Sequence, residues 1–151
     1  MTTTTTATNA CSAVVSIDNG AGVLTNVSGS GTSATMTLKT ELGDYKVFGD
    51  RWRYRLACAQ DTEISLDVVY TTTADEGFDI LRDWWFDPTA HAVARTVRID
   101  MPDSETGSDR YTAEMMLEQL SWDMPAGEPG PVIVTAALKP NGEMRHDEIG
   151  S

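Results

Sequence analysis

The side chains best suited to nucleophilic or metal chemistry are few in this chain: His91, His146, Cys11 and Cys58. Zinc sites draw three or four N and S ligands from short, regular spacings. Here no CxxC pair occurs and each histidine stands alone, so the sequence offers no metal site. The two cysteines are too few and too far apart for a disulfide framework; they read as buried or half-buried thiols. No Ser/His/Asp constellation has a spacing that would assemble a nucleophile and its base. Gly29-Ser30-Gly31 is glycine-rich, but it opens toward a strand, and a phosphate cradle needs a helix N-terminus behind it. Acidic residues number 23, so a glycosidase-like carboxylate pair could be drawn between almost any two and none is singled out. The sequence therefore predicts no catalytic residue, no cofactor and no enzyme.

Charge patterning is more informative. Arg51, Arg53 and Arg55 alternate with Trp52, Tyr54 and Leu56, which would place three guanidiniums on one face of a strand and an apolar row on the other. Guanidiniums seek carboxylates. The chain has 23 acidic and 11 basic residues, a formal net charge of -12, so a second copy would supply partners in plenty. The same excess of negative charge repels nucleic acid. Glu114 and Glu118 stand out as carboxylates four apart in a strand-like segment.

Most of the elements that must position these groups read as strands. Residues 1–12, Thr-rich and polar, form an N-terminal arm with nothing to bury and are expected to order only on a partner. With no basic or apolar leader in that segment, the expectation is folding in a cytoplasm. Ser12–Asp18 and Gly22–Val27 read as short strands on either side of the Asn19-Gly20 turn. Ala34, Met36 and Leu38 alternate with Thr35, Thr37 and Lys39, the period of a half-buried strand. Gly43-Asp44 and Gly49-Asp50 punctuate the next stretch, and Ile64, Leu66, Val68 and Tyr70 mark the clearest strand. No apolar run approaches the ~20 residues that span a bilayer.

One helix is predicted, over about 74–86. Thr73 is placed as N-cap with Glu76 three residues on. Phe78, Leu81 and Trp85 share a face, with Trp84 flanking it, and all three aromatics are assigned to the core; Pro88 ends the helix. Strands resume with Val93, Val97 and Ile99 on one face, interrupted by Arg95. Residues 110–122 contain good helix formers but no cap, and read as a strand between strands. Val132–Leu138 is the last strand, ended by Pro140-Asn141-Gly142. Residues 143–151 form a flexible tail. Strands, one helix, then strands gives a mainly β fold: a single antiparallel sandwich or barrel over 13–142 with one flanking helix.

This layout resembles the major tail tube proteins of long-tailed bacteriophages. The resemblance rests on Asn26–Gly31, Gly49-Asp50, Glu63–Tyr70, Phe78–Trp85 and Arg98–Pro102, and covers the chain from about Cys11 to Gly142. It implies a structural virion protein that forms hexameric rings, with inner strands joined into one barrel. Stacked rings make the tail tube through which DNA is ejected. The implied partners are further copies of the chain, a tape-measure protein, and tail-tip and terminator proteins. DNA would pass without specific binding, no membrane would be entered, and assembly would occur in the host cytoplasm. Cys11, Ser12, Leu42, Gly43, Asp44, Tyr45, Gly49 and Asp50 become candidate inter-ring contacts. Arg51, Arg53 and Arg55 become inter-subunit contacts, and Glu114 and Glu118 lumen-facing carboxylates. Two alternatives stay open. One is a carbohydrate- or protein-binding sandwich using Trp52, Trp122 or Tyr111, and the other a terminator or connector that forms single rings.

Overall fold

The computed structural model describes residues 13–29, 31–74, 76–101, 108–124, 126–127 and 129–149. The expectations for Cys11, Ser12 and the rest of the N-terminal segment lie outside the described residues. Eight strands form one antiparallel sheet: β1 (Val14–Asp18), β2 (Leu24–Asn26), β3 (Gly31–Tyr45), β4 (Tyr54–Val69), β5 (Arg95–Asp100), β6 (Asp109–Asp123), β7 (Ile133–Pro140) and β8 (Arg145–Glu148). Their order is β2-β1-β5-β6-β7-β4-β3, with β8 also on β6. The helix α1 (Gly77–Phe86) and a short 3₁₀ turn (Ala90–Ala92) lie between β4 and β5. The mainly β, antiparallel architecture with one helix is the one the patterning predicts. Among the described residues no helix is long and apolar enough to cross a membrane.

A single core collects side chains from opposite ends of the sheet. Val15 and Ile17 of β1 share it with Ile64, Leu66 and Val68 of β4, although β5, β6 and β7 separate those strands. The sheet must therefore roll over to bring its two halves face to face. The link between β2 and β3 spans the closing side: the Val27 amide donates to the Val15 carbonyl at 2.9 Å and the Gly31 amide to the Val27 carbonyl at 3.1 Å. The segment after Gly142, expected to be a flexible tail, instead continues β7 as β8. It pairs Arg145–Glu148 with Thr112–Asp109, because β6 is long enough to offer its free backbone groups beyond the end of β7.

The helix starts later than its sequence suggests. Thr73 does not cap it; the Thr71 hydroxyl pairs with the Thr73 hydroxyl and accepts the Thr73 amide, each at 3.2 Å. This local turn competes with the capping box. Glu76 occupies the N-cap position without a side-chain cap. The buried face also differs. Phe78, Ile80, Leu81 and Trp84 are buried, while Trp85 is 43% exposed, so the core-facing arc is centred between Leu81 and Trp84. Trp84 Nε1 donates to the Val93 carbonyl at 3.2 Å, and the Arg95 guanidinium lies 5.1 Å from its ring. Arg95 is itself buried and donates to the Asp18 carbonyl at 3.3 Å. It does not interrupt the apolar face of β5 so much as tie β1 to the helix, while desolvation lowers its pKa from the ordinary value.

Candidate assembly surfaces

The distal halves of β3 and β4 form a hairpin that stands clear of the core. β3 and β4 pair with each other along their whole length, yet β4 pairs with β7 only over Ile64–Val69. From Leu38 to Gly49, and from Arg51 to Asp61, every residue is exposed. Among the described residues sixteen large hydrophobic side chains are exposed, and eight of them lie between Leu38 and Leu56. Such concentration marks an interaction surface. A lone two-stranded hairpin is also marginal in water unless something covers it.

The hairpin is held in shape along its length. Tyr45 stacks on Tyr54 with centroids 5.5 Å apart. Asp44 pairs with Arg53 at 3.5 Å and with Arg55 at 3.3 Å. At the tip, the Asp50 amide donates to the Val47 carbonyl, and Gly49 supplies the positive φ of the turn. The Asp50 carboxylate accepts from the Tyr54 hydroxyl at 2.6 Å and from the Trp52 amide at 3.0 Å. These bonds, the hydroxyl's first, hold the Asp50 carboxyl below its ordinary range, and raise Tyr54. Glu41 faces two β4 residues, Cys58 and Ala59, at a register shift; such bulges increase local twist.

The sequence-predicted residues fall on this hairpin with corrections. Leu42, Gly43, Asp44 and Tyr45 end β3, and Gly49 and Asp50 form the tip. The arginine row is not one strand face: Arg51 and Arg53 lie in the tip and only Arg55 lies in β4, because the Asp50 turn replaces the expected strand. Arg51 sits over the Trp52 ring at 5.3 Å. Cys58 is an exposed free thiol, not a buried one, since its strand has left the core. Glu114 and Glu118 are both exposed on β6 but have separate partners. Glu114 accepts from Thr96 at 2.5 Å. Glu118 lies 3.8 Å from Lys139, which pairs with Glu63 at 3.0 Å.

Among the described residues the open backbone edges include two on the long strands β3 and β6. β3 is the last strand of the sheet order, so no described strand pairs with its outer edge. β5 pairs with β6 only over Arg110–Met115, leaving the far half of β6 open on that side. An edge of this length is a template for a further strand.

Two features were not legible in the sequence. A cleft of about 640 Å³ opens between the hairpin root and β8, lined by Leu38, Thr62, Tyr111, Met144 and His146 among others. His146 Nε2 pairs with Asp109 at 2.8 Å, which raises the imidazole pKa, but the cleft lining contains neither serine nor cysteine. At the other end of β4, Tyr70, Trp122, Met124 and Val132 line a shallow pocket of about 400 Å³. Phe78 supports it, 4.8 Å from Tyr70 and 6.2 Å from Trp122 between centroids. Only the spacing of the β6 and β4 ends could have paired these residues. Trp52, Tyr111 and Trp122, by contrast, sit on the hairpin tip, in the first half of β6 and at its end, and form no common platform. Among the described residues no group of three or more His, Cys, Asp or Glu side chains could hold a metal ion.

No protein-family profile and no curated protein sequence matches the chain. Solved structures do. The tail of an empty gene transfer agent particle is 15% identical, with 93% of this chain and 99% of that chain covered and a TM-score of 0.72. The SPP1 tail tube is 8% identical over 94% and 80%, with a TM-score of 0.74. The sheath–tube complex of an extracellular contractile injection system is 11% identical over 95% and 93%, with a TM-score of 0.68. At such identities the likeness is one of fold, and the fold of this chain is that of the tail tube proteins of phages and contractile injection systems.

Proposed function

We propose that this chain is the structural subunit of a tail tube: copies join side by side into rings, six to a ring as in the C6-symmetric gene transfer agent tail, and the rings stack into a conduit for DNA. The observation that carries the reading is the exposed hairpin together with the open edges of β3 and β6. Side-by-side closure of a ring removes both edges, with β3 of one copy adding to the far half of β6 of the next. Stacking one ring on another repeats a head-to-tail contact that never closes, and so makes a filament. The hairpin, including Leu42–Tyr45 and Gly49-Asp50, is the inter-ring element, with Cys11 and Ser12 assigned to the same contact. Arg51, Arg53 and Arg55 meet carboxylates of a neighbouring copy.

The polar face of β4, β6 and β7 lines the lumen. Glu118 is the better-placed of the two lumen candidates because Glu63 and Lys139 share its surroundings; Glu114 extends the same strand. A negative wall keeps DNA from adhering over a Debye length of about 8 Å at physiological salt. In this reading the tape-measure protein occupies the lumen before DNA does. Terminator and tip proteins bound the tube's two ends. The protein resides in the virion tail after assembly in the host cytoplasm, and its role is structural, without catalysis.

The test is negative-stain electron microscopy with light scattering over a concentration series, with and without a tail-tip complex as initiator. Hollow tubes are expected. Single rings that never stack would indicate a terminator or connector. Strictly monomeric protein in every condition would overturn the tube reading.

A further inference from the structure

The exposed hairpin lies at one end of β4, and an exposed apolar pocket lies at the other. β4 runs from Tyr54 beside the tip to Val69, 16 residues, or about 50 Å at the rise of an extended strand. Tyr70 follows directly and, with Trp122, Met124 and Val132, lines the shallow pocket of about 400 Å³. Its walls are unusually apolar for open surface: Tyr70 is 44%, Trp122 39% and Met124 68% exposed. Among the described residues nothing buries them.

We infer that this pocket receives the hairpin tip of the next copy, with Phe48 as the inserted side chain. The inference rests on the tube reading above and names the surface that the inter-ring hairpin meets. Three observations support it. Phe48 is fully exposed at the apex of the tip, flanked by the exposed Val47 and Trp52, and the pocket volume lies within the range that accommodates a small ligand, ample for one ring. The tip also carries Lys46, Arg51, Arg53 and Arg55 against Asp44 and Asp50 within residues 44–56, an excess of positive charge even with Asp44 paired to Arg53 and Arg55, in a chain of net charge -12. Acidic residues adjoin the pocket, with Asp123 between Trp122 and Met124 and Glu76 two residues before Phe78. Finally, the two surfaces terminate the same strand at opposite ends, so mating them is head-to-tail and propagates indefinitely.

The experiment uses the full chain under conditions where the wild type forms tubes. Phe48→Asp removes the insert and Met124→Asp spoils the receiver. Each should raise the concentration needed for tubes about tenfold or more, since burial of an apolar side chain against a desolvated charge is at stake. Preformed rings of the two variants, once mixed, retain one good contact and should give paired rings without tubes. A photoreactive benzophenone amino acid at position 48 should cross-link to peptides containing Tyr70 or Trp122–Met124 of another copy. That cross-link decides the matter even where Met124→Asp folds poorly. Normal tubes from a folded Met124→Asp chain, or cross-links confined to the hairpin itself or to the cleft at its root, would overturn the assigned receiver and leave the tube reading standing. A wild-type chain that assembles under no condition would instead overturn the tube reading, and this inference with it.

Discussion

Gly20 should be intolerant of even one added methyl, and the cause can be separated into two parts. Its φ of +90° lies in the left-handed region, and a Cβ built there would stand 2.9 Å from Nη2 of Arg95. Alanine at such a φ costs about 1–2 kcal/mol, partly offset by about 0.4–1 kcal/mol because the unfolded chain loses freedom. The steric part would usually be small against a flexible side chain. Here the guanidinium is buried, packed on Trp84 and donating to the Asp18 carbonyl. Displacing a charged donor from such a bond adds roughly 1 kcal/mol or somewhat more. Gly20→Ala should therefore destabilise by about 1–3 kcal/mol, the range set by these opposing contributions. In an Arg95→Ala background only the backbone part remains, so the double-mutant cycle should show a coupling of about 1 kcal/mol. Denaturant unfolding of the four proteins measures both quantities. Additivity within roughly 0.3 kcal/mol would refute the claim that Arg95 is held firmly enough to resist the methyl.

Trp84→Ala should cost about 3–5 kcal/mol in the same assay, as for a fully buried large aromatic, whereas Trp85→Ala should cost less than about 1 kcal/mol; equal losses would show that the helix face is misassigned. Arg53→Glu breaks an exposed pair with Asp44 that is worth about 0–1 kcal/mol to the fold, so thermal unfolding should barely move while light scattering reports lost tube growth. Tubes of normal length would remove Arg53 from the contact. His146 has its pKa raised by Asp109, so its stabilising charge is fully present below the unfolded-state pKa, near 6.5, and is lost as pH rises through the folded value. Amide exchange in β8 should therefore, once corrected for its intrinsic pH dependence, become faster across that window, and Asp109→Asn should bring the NMR-titrated pKa of His146 down. A pH-independent protection of β8 would exclude the ion pair as its clasp.

Much of the architecture is local and was therefore readable along the chain. Alternation in Ile64–Tyr70 names a half-buried strand because successive side chains of an extended backbone point to opposite faces, and Asn19-Gly20 names a turn because glycine reaches a positive φ at little cost. The absence of any β-α-β rhythm likewise pointed to an antiparallel fold. The segment 110–122 became a strand despite its helix formers, since tertiary pairing with β5 and β7 outweighs a weak intrinsic propensity. Other features depend on contacts between residues distant in sequence. Period-2 patterning gives two faces without saying whether either is covered, so Leu38 read as part of a half-buried strand when the hairpin carries it, with Leu42 and Leu56, into solvent. Which tryptophan of the Trp84-Trp85 pair enters the core is decided by the Val93 carbonyl and Arg95. The polar residues after Gly142 form a strand only because β6 outlasts β7. The pocket of Tyr70, Trp122 and Met124 exists only where the ends of three strands meet. Local chemistry specified most of the strands and turns; the rolled sheet alone determined which of their surfaces were left exposed.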